Sequence, residues 1–188
     1  MDILAHTIWA SAGAKEINKL AEKNNKKIKI NIAWAGFWGV FPDFFAFTIP
    51  FFLRFFYLFT GDISVSNFWS RPTEGEVLRH GASLAENLYQ YSHSLVIWAL
   101  VFIIVWYVYK RPRYELLGWA LHILIDIPTH VLAFYPTPFL FPISEYRFPY
   151  GMQWSNTYFM IINYSLLLLI WGRILVSDLK VKYFKKTL

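Results

Sequence analysis

The residues best placed for chemistry are His122, Asp126 and His130, in the run Leu121-His122-Ile123-Leu124-Ile125-Asp126-Ile127-Pro128-Thr129-His130. On a helix, side chains four apart share a face, so His122 and Asp126 project together. His130 joins them if the helix continues. The surrounding stretch, Leu116 to Phe134, is otherwise almost wholly apolar. Ionisable groups stacked on an oily face are costly to bury unless they pair or coordinate a cation. The segment therefore reads as a metal-site candidate. The plainer alternative is a core or membrane helix whose His and Asp satisfy each other by hydrogen bonds.

Three residues elsewhere have the right chemistry to complete such a site: His6, Asp43 and His93. Histidine and carboxylate donors suit zinc, manganese or iron-type divalent ions. Thiolate ligands are excluded because the chain has no cysteine. Each candidate also has a simpler reading. His6 reads as an interfacial residue near a frayed end, Asp43 as a helix cap after Pro42, and His93 as a local hydrogen-bonder between Ser92 and Ser94. His80 beside Arg79 reads as solvated, and Arg71, Arg79, Glu145 and Arg147 as loop surface. Arg147 is the best placed of these to grip a phosphate, since guanidinium pairs bidentately with phosphate.

The elements that must carry these residues are helical and sit in a membrane. The chain of 188 residues is 56% hydrophobic, 21% aromatic and 16% charged, against roughly 25% charged in an average soluble protein. The net charge of +6 does not point to nucleic acid, because the basic residues gather at the ends of apolar segments. The pattern predicts an all-α, membrane-embedded bundle in one domain. It has a short helix over 1–14, segments over about 32–59, 92–109, 116–134 and 157–176, and a basic tail over 177–188. Pro42 and Pro50 are expected to break the second segment. Residues 60–87 read as a polar loop with room for a short helix, and 135–156 as a Pro-rich aromatic loop. Lysines and arginines concentrate in 15–29, 110–113 and 173–186, which the positive-inside rule places in the cytoplasm. That puts the C-terminus inside and His6, His93 and His130 in the outer half of the bundle. The Trp and Tyr residues near segment ends read as interfacial belts.

His6, Phe41-Pro42-Asp43, Ser92-His93-Ser94, Leu121-His122-Ile123-Leu124-Ile125-Asp126 with Thr129, and Phe139-Leu140-Phe141-Pro142-Ile143-Ser144 together resemble the membrane-bound metal-dependent hydrolases. These are small inner-membrane proteins of bacteria and archaea, distantly similar to zinc-dependent phospholipase C. The resemblance covers about residues 1 to 176. It implies a helical bundle with a metal centre that hydrolyses a phosphoester-like substrate, lipids included. The chain departs from the family where a His-Arg-Gly run precedes the Thr-His-Ser, because Leu88, Tyr89 and Gln90 stand there.

The expected reaction is hydrolysis of a phosphodiester or other ester at the outer face. His122, Asp126 and His93 would hold a divalent ion, most plausibly zinc, with His6 and His130 holding it too or holding a second one. Such an ion brings the pKa of a bound water to about 7. Asp43 is the expected general base or a bridging ligand, and Ser94 and Thr129 are expected to orient ligands from behind. Two other classes fit the same residues. Intramembrane His and Asp also mark ion and proton paths, and a metal-binding scaffold would keep the site without catalysis.

Overall fold

A computed structural model describes residues 1–68 and 82–184. Helix α1 spans Ile3–Lys23, α2 Ile32–Thr60, α3 Val65–Phe68, α4 Ala82–Ser92, α5 Leu95–Tyr109, α6 Leu117–Thr129 and α7 Thr157–Phe184. A single 3-10 turn, Tyr114–Leu116, leads into α6. Among the described residues the only β pairing is an isolated bridge between Val131 and Phe134. The architecture is a helical bundle.

Local chemistry sets the helix ends. The Asp2 side chain accepts the Ala5 N–H at 3.0 Å and starts α1. Asn31 does the same for α2 through Trp34 N–H at 3.2 Å. Both satisfy amide donors that have no partner within the helix. Gly61, with a φ of 81°, closes α2 in the left-handed conformation that favours glycine. Ser94 starts α5 by accepting from Val96 and Ile97 N–H.

Helices α1, α2 and α6 form the compact centre, held close by small residues. A Cβ on Gly39 would lie 2.5 Å from Ala10 Cβ and 2.8 Å from the His6 carbonyl. A Cβ on Gly118 would overlap the Ala35 carbonyl. Small residues at such crossings let helix backbones approach. Beside this seam Leu116, Trp119 and Ile123 are buried and pack against Trp38, Phe41 and Trp98. The Trp98 indole N–H also donates to the Leu116 carbonyl at 2.9 Å.

Two helices, Ile32–Thr60 and Thr157–Lys180, are long and apolar enough to cross a membrane. The pair Leu84–Ser92 and Leu95–Tyr109, bent by 60°, makes a third if it is taken as one span. The outward faces are oily: Phe52, Phe56, Phe59, Ile103, Leu168 and Leu169 are each at least 59% exposed. Apolar surface this extensive belongs against lipid, not water. The basic segments meet at one end of the bundle, where Lys19 pairs with Asp178 at 3.1 Å and Arg173 with Glu16 at 2.9 Å.

Several boundaries differ from those read in the sequence. The first helix runs to Lys23, not 14, so Lys15, Lys19 and Lys23 of the following basic stretch are helical. The second segment is not broken at Pro42-Asp43; α2 is continuous through both prolines. Each proline removes one backbone donor, yet packing against α1 and α6 on either side holds the helix together. Residues 82–92, read largely as loop, form α4. Helix α6 stops at Thr129; at 13 residues it reaches only about 20 Å, short of the roughly 30 Å hydrocarbon core. Helix α7 continues to Phe184, past the expected end at 176. Arg71, Arg79 and His80 lie outside the described residues.

Candidate metal centre

Asp43 projects from α2 one residue after Pro42, His93 stands at the bend between α4 and α5, and His122 and Asp126 share one face of α6. One ligand atom from each of these four lies within 4.8 Å of every other. His93 Nε2 and His122 Nε2 are 3.0 Å apart. Asp126 Oδ2 is 3.1 Å from His122 Nε2 and 3.6 Å from His93 Nε2. Asp43 Oδ1 is 3.6 Å from His93 Nε2 and 3.7 Å from His122 Nε2. Tetrahedral bonds of about 2.0–2.2 Å put ligand atoms about 3.3–3.6 Å from one another; the spacings here bracket that range, and the four residues could hold one metal ion.

The hydrogen bonds behind the imidazoles fix which nitrogen faces inward. His122 Nδ1–H donates to the Gly39 carbonyl at 2.7 Å, since a carbonyl can only accept. That orients a lone pair at Nε2 toward the cluster. Behind His93, Ser92 Oγ lies 2.9 Å from Nδ1 and 3.4 Å from the Tyr89 carbonyl, partners that allow Nδ1 to carry the ring proton. In that tautomer both Nε2 atoms, 3.0 Å apart, are available to one cation beside the two carboxylates. Anchoring a ligand histidine through its outer N–H is the usual support of a metal site. The charges also balance: two carboxylates and neutral imidazoles match a divalent ion.

Asp126 has two working sides. While Oδ2 faces His93 and His122, Oδ1 lies 3.0 Å from His6 Nε2 and 3.5 Å from His130 Nε2. The Met1 amino group also donates to Oδ1 and stands 3.2 Å from His130 Nε2. His6 and His130 are therefore beside the four-residue group, on the far oxygen. His6 stacks on His122, ring centres 3.7 Å apart. His130 is held by donation from Nδ1–H to the Tyr135 carbonyl at 2.8 Å.

Comparison with known protein families, curated protein sequences and solved structures finds no match. What the residues can do rests on the geometry of this chain.

Of the expected supporting residues, Thr129 lies against the centre, with Oγ1 3.4 Å from Asp126 Oδ1. Ser94 does not: its hydroxyl donates to the Phe141 carbonyl and caps α5. Arg147 turns back on its own loop, donating to the Glu145 and Tyr146 carbonyls at 2.8 and 3.3 Å. The groups to which the sequence reading gave no part in supporting the centre are the Gly39 carbonyl, Tyr89 and Ser92, the last named there only as a local partner of His93. The Tyr89 ring stacks on His93 at 3.7 Å, and its hydroxyl donates to the Tyr135 carbonyl at 2.9 Å. The neighbouring hydroxyl in Ser92-His93 was the available signal.

Removing the Ser92 hydroxyl tests the support of His93. Ser92→Ala is expected to weaken metal affinity about 10–100-fold while the bundle stays folded. Competition with a graded chelator reads this directly.

Proposed function

We propose that this chain is a membrane-embedded, metal-dependent hydrolase that cleaves an ester or phosphoester. The observation carrying this reading is the convergence of two buried imidazole Nε2 atoms and two carboxylates, from three helical elements, within 4.8 Å of one another. Its resemblance to the membrane-bound metal-dependent hydrolases supports the same conclusion. Nitrogen and carboxylate donors in a four-point set favour zinc. The basic end of the bundle is assigned to the cytoplasm of a prokaryotic inner membrane, which puts the centre toward the outer side.

A divalent ion at this site supplies an acidified water and positive charge for the oxygen that becomes negative during cleavage. His93, His122 and Asp126 are the fixed holders, each 1% exposed or less. Asp43 differs, with 13% of its side chain exposed. It is the carboxylate with access to an incoming molecule. With His93, His122 and Asp126 as the three holders, the fourth position would be left to water, and Asp43 beside it would take that water's proton. Asp126, gripped on both oxygens, has no freedom for that task. His6, His130 and Thr129 hold Asp126 in place from its Oδ1 side.

Elemental analysis of the detergent-purified protein beside His122→Ala tests the site. The wild type is expected to carry the metal and the variant to lose it, together with turnover of an ester panel. Equal metal in both refutes the assignment. A metal-binding scaffold instead predicts that chelation lowers the melting temperature with no ester turned over by the loaded protein. The Leu88-Tyr89-Gln90 segment keeps that second reading in play, because Tyr89 contributes a stacked ring where the family carries arginine.

A further inference from the structure

Among the described residues, a groove reaches the centre at Asp43 and His130. That groove has a volume of about 710 Å³ and is lined at its inner end by Asp43 and His130. Its walls come from the start of α1, from α2 and from the loop after α6, with Leu4, Phe47, Phe51, Phe134 and Trp154 among them. Beyond Asp43 and His130, Asp2 and Thr48 are the main polar side chains on this lining. The volume lies within the roughly 300–1,000 Å³ of small-molecule sites.

The direction of the groove matters. It follows α2 outward from Asp43 to Phe51 and Phe52 for two helical turns, about 12 Å. Phe51 and Phe52 are 48% and 70% exposed and lie on a helix long and apolar enough to cross a membrane. The mouth therefore opens sideways toward hydrocarbon. A small, fully hydrated phosphoester would shed its water shell to pass between these rings, whereas an alkyl chain loses none.

We propose that the groove seats the hydrocarbon chain of a membrane lipid entering laterally from the bilayer, with the lipid's polar linkage beside Asp43. The proposal deepens the hydrolase reading and rests on it for the chemistry, but chain binding can be tested without turnover. Phosphatidylethanolamine–phosphatidylglycerol vesicles carrying a trace of phospholipid with a diazirine at one acyl terminus serve as the probe. The protein is reconstituted in them, illuminated and mapped by peptide mass spectrometry. Labelling is expected to concentrate on the α2 stretch 44–52 and on the peptide bearing Trp154. Thr48→Trp, which fills the groove from an exposed position, should reduce that labelling several-fold. Ile49→Trp, exposed on the same helix but off the groove lining, should leave it unchanged.

His122→Ala should still be labelled, since the groove does not depend on the metal. Labelling spread evenly over the outward faces of α2 and α7, or unaffected by Thr48→Trp, overturns the proposal. A p-nitrophenyl ester series separates the two ideas. Short chains cleaved as fast as long ones would retain the hydrolase and end the chain-seating claim. Groove labelling without cleavage of any ester would do the reverse.

Discussion

Asp126→Ala is expected to remove the metal and to destabilise the bundle more than any other single change at the centre. Its carboxylate is 1% exposed and sits among His6, His93, His122, His130 and the Met1 amino group. Removing one partner of a buried ionic set costs about 3–5 kcal/mol, because the remaining groups stay buried and unpaired. For a chain of this size that lowers the melting temperature by about 6–20 °C. Asp43→Ala should cost less, since Asp43 faces only His93 and His122 and its side chain is partly open. Thermal unfolding and elemental analysis on the two variants check this order. A smaller shift for Asp126→Ala than for Asp43→Ala would contradict the central placement of Asp126.

The second large effect is expected at a residue with no side chain. Gly118 lies one turn before His122 on the same face of α6. A methyl group there would overlap the Ala35 carbonyl and sit 3.0 Å from Gly39 N and 3.2 Å from Ala35 C. These are backbone atoms, which cannot rotate aside, so α6 must move away from α2. Overpacking of this kind costs about 1–3 kcal/mol. The displacement also stretches the 2.7 Å bond from His122 to the Gly39 carbonyl and draws His122 away from Asp43. Gly118→Ala should therefore lose metal affinity as well as stability, although it touches no ligand. Gly172→Ala is the control, since nothing lies within 4 Å of its added methyl. Equal melting and metal content in the two glycine variants would show that the α2–α6 crossing has slack.

The centre was legible in the sequence where helical periodicity alone decides geometry. His122 and Asp126, four apart on an apolar helix, meet as the spacing requires. The convergence of Asp43 and His93 on them was expected from laying the apolar segments side by side, with His93 at the outer end of its segment and Asp43 deeper, beside His122. The continuity of α2 was not legible. Local rules weigh Pro42 and Pro50 as breakers, while the packing that holds the helix comes from α1 and α6. Ser92 and Ser94 flank His93 symmetrically in the sequence, and only the bend between α4 and α5 decides which hydroxyl reaches Nδ1. The division of labour on Asp126 was likewise hidden, since spacing cannot say which oxygen a neighbour will face.

The ion pairs at the basic end carry a consequence for supply. Along α1, thirteen residues separate His6 from Lys19, about 20 Å of helix, and Lys19 marks one aqueous boundary through Asp178. The centre lies well toward the opposite boundary, so an ion held there, as proposed, would be drawn from the reservoir on that side. Under the positive-inside assignment that reservoir is extracytoplasmic. Occupancy would then follow the trace-metal content of the surroundings, and a chelator unable to enter the cell would be enough to strip it.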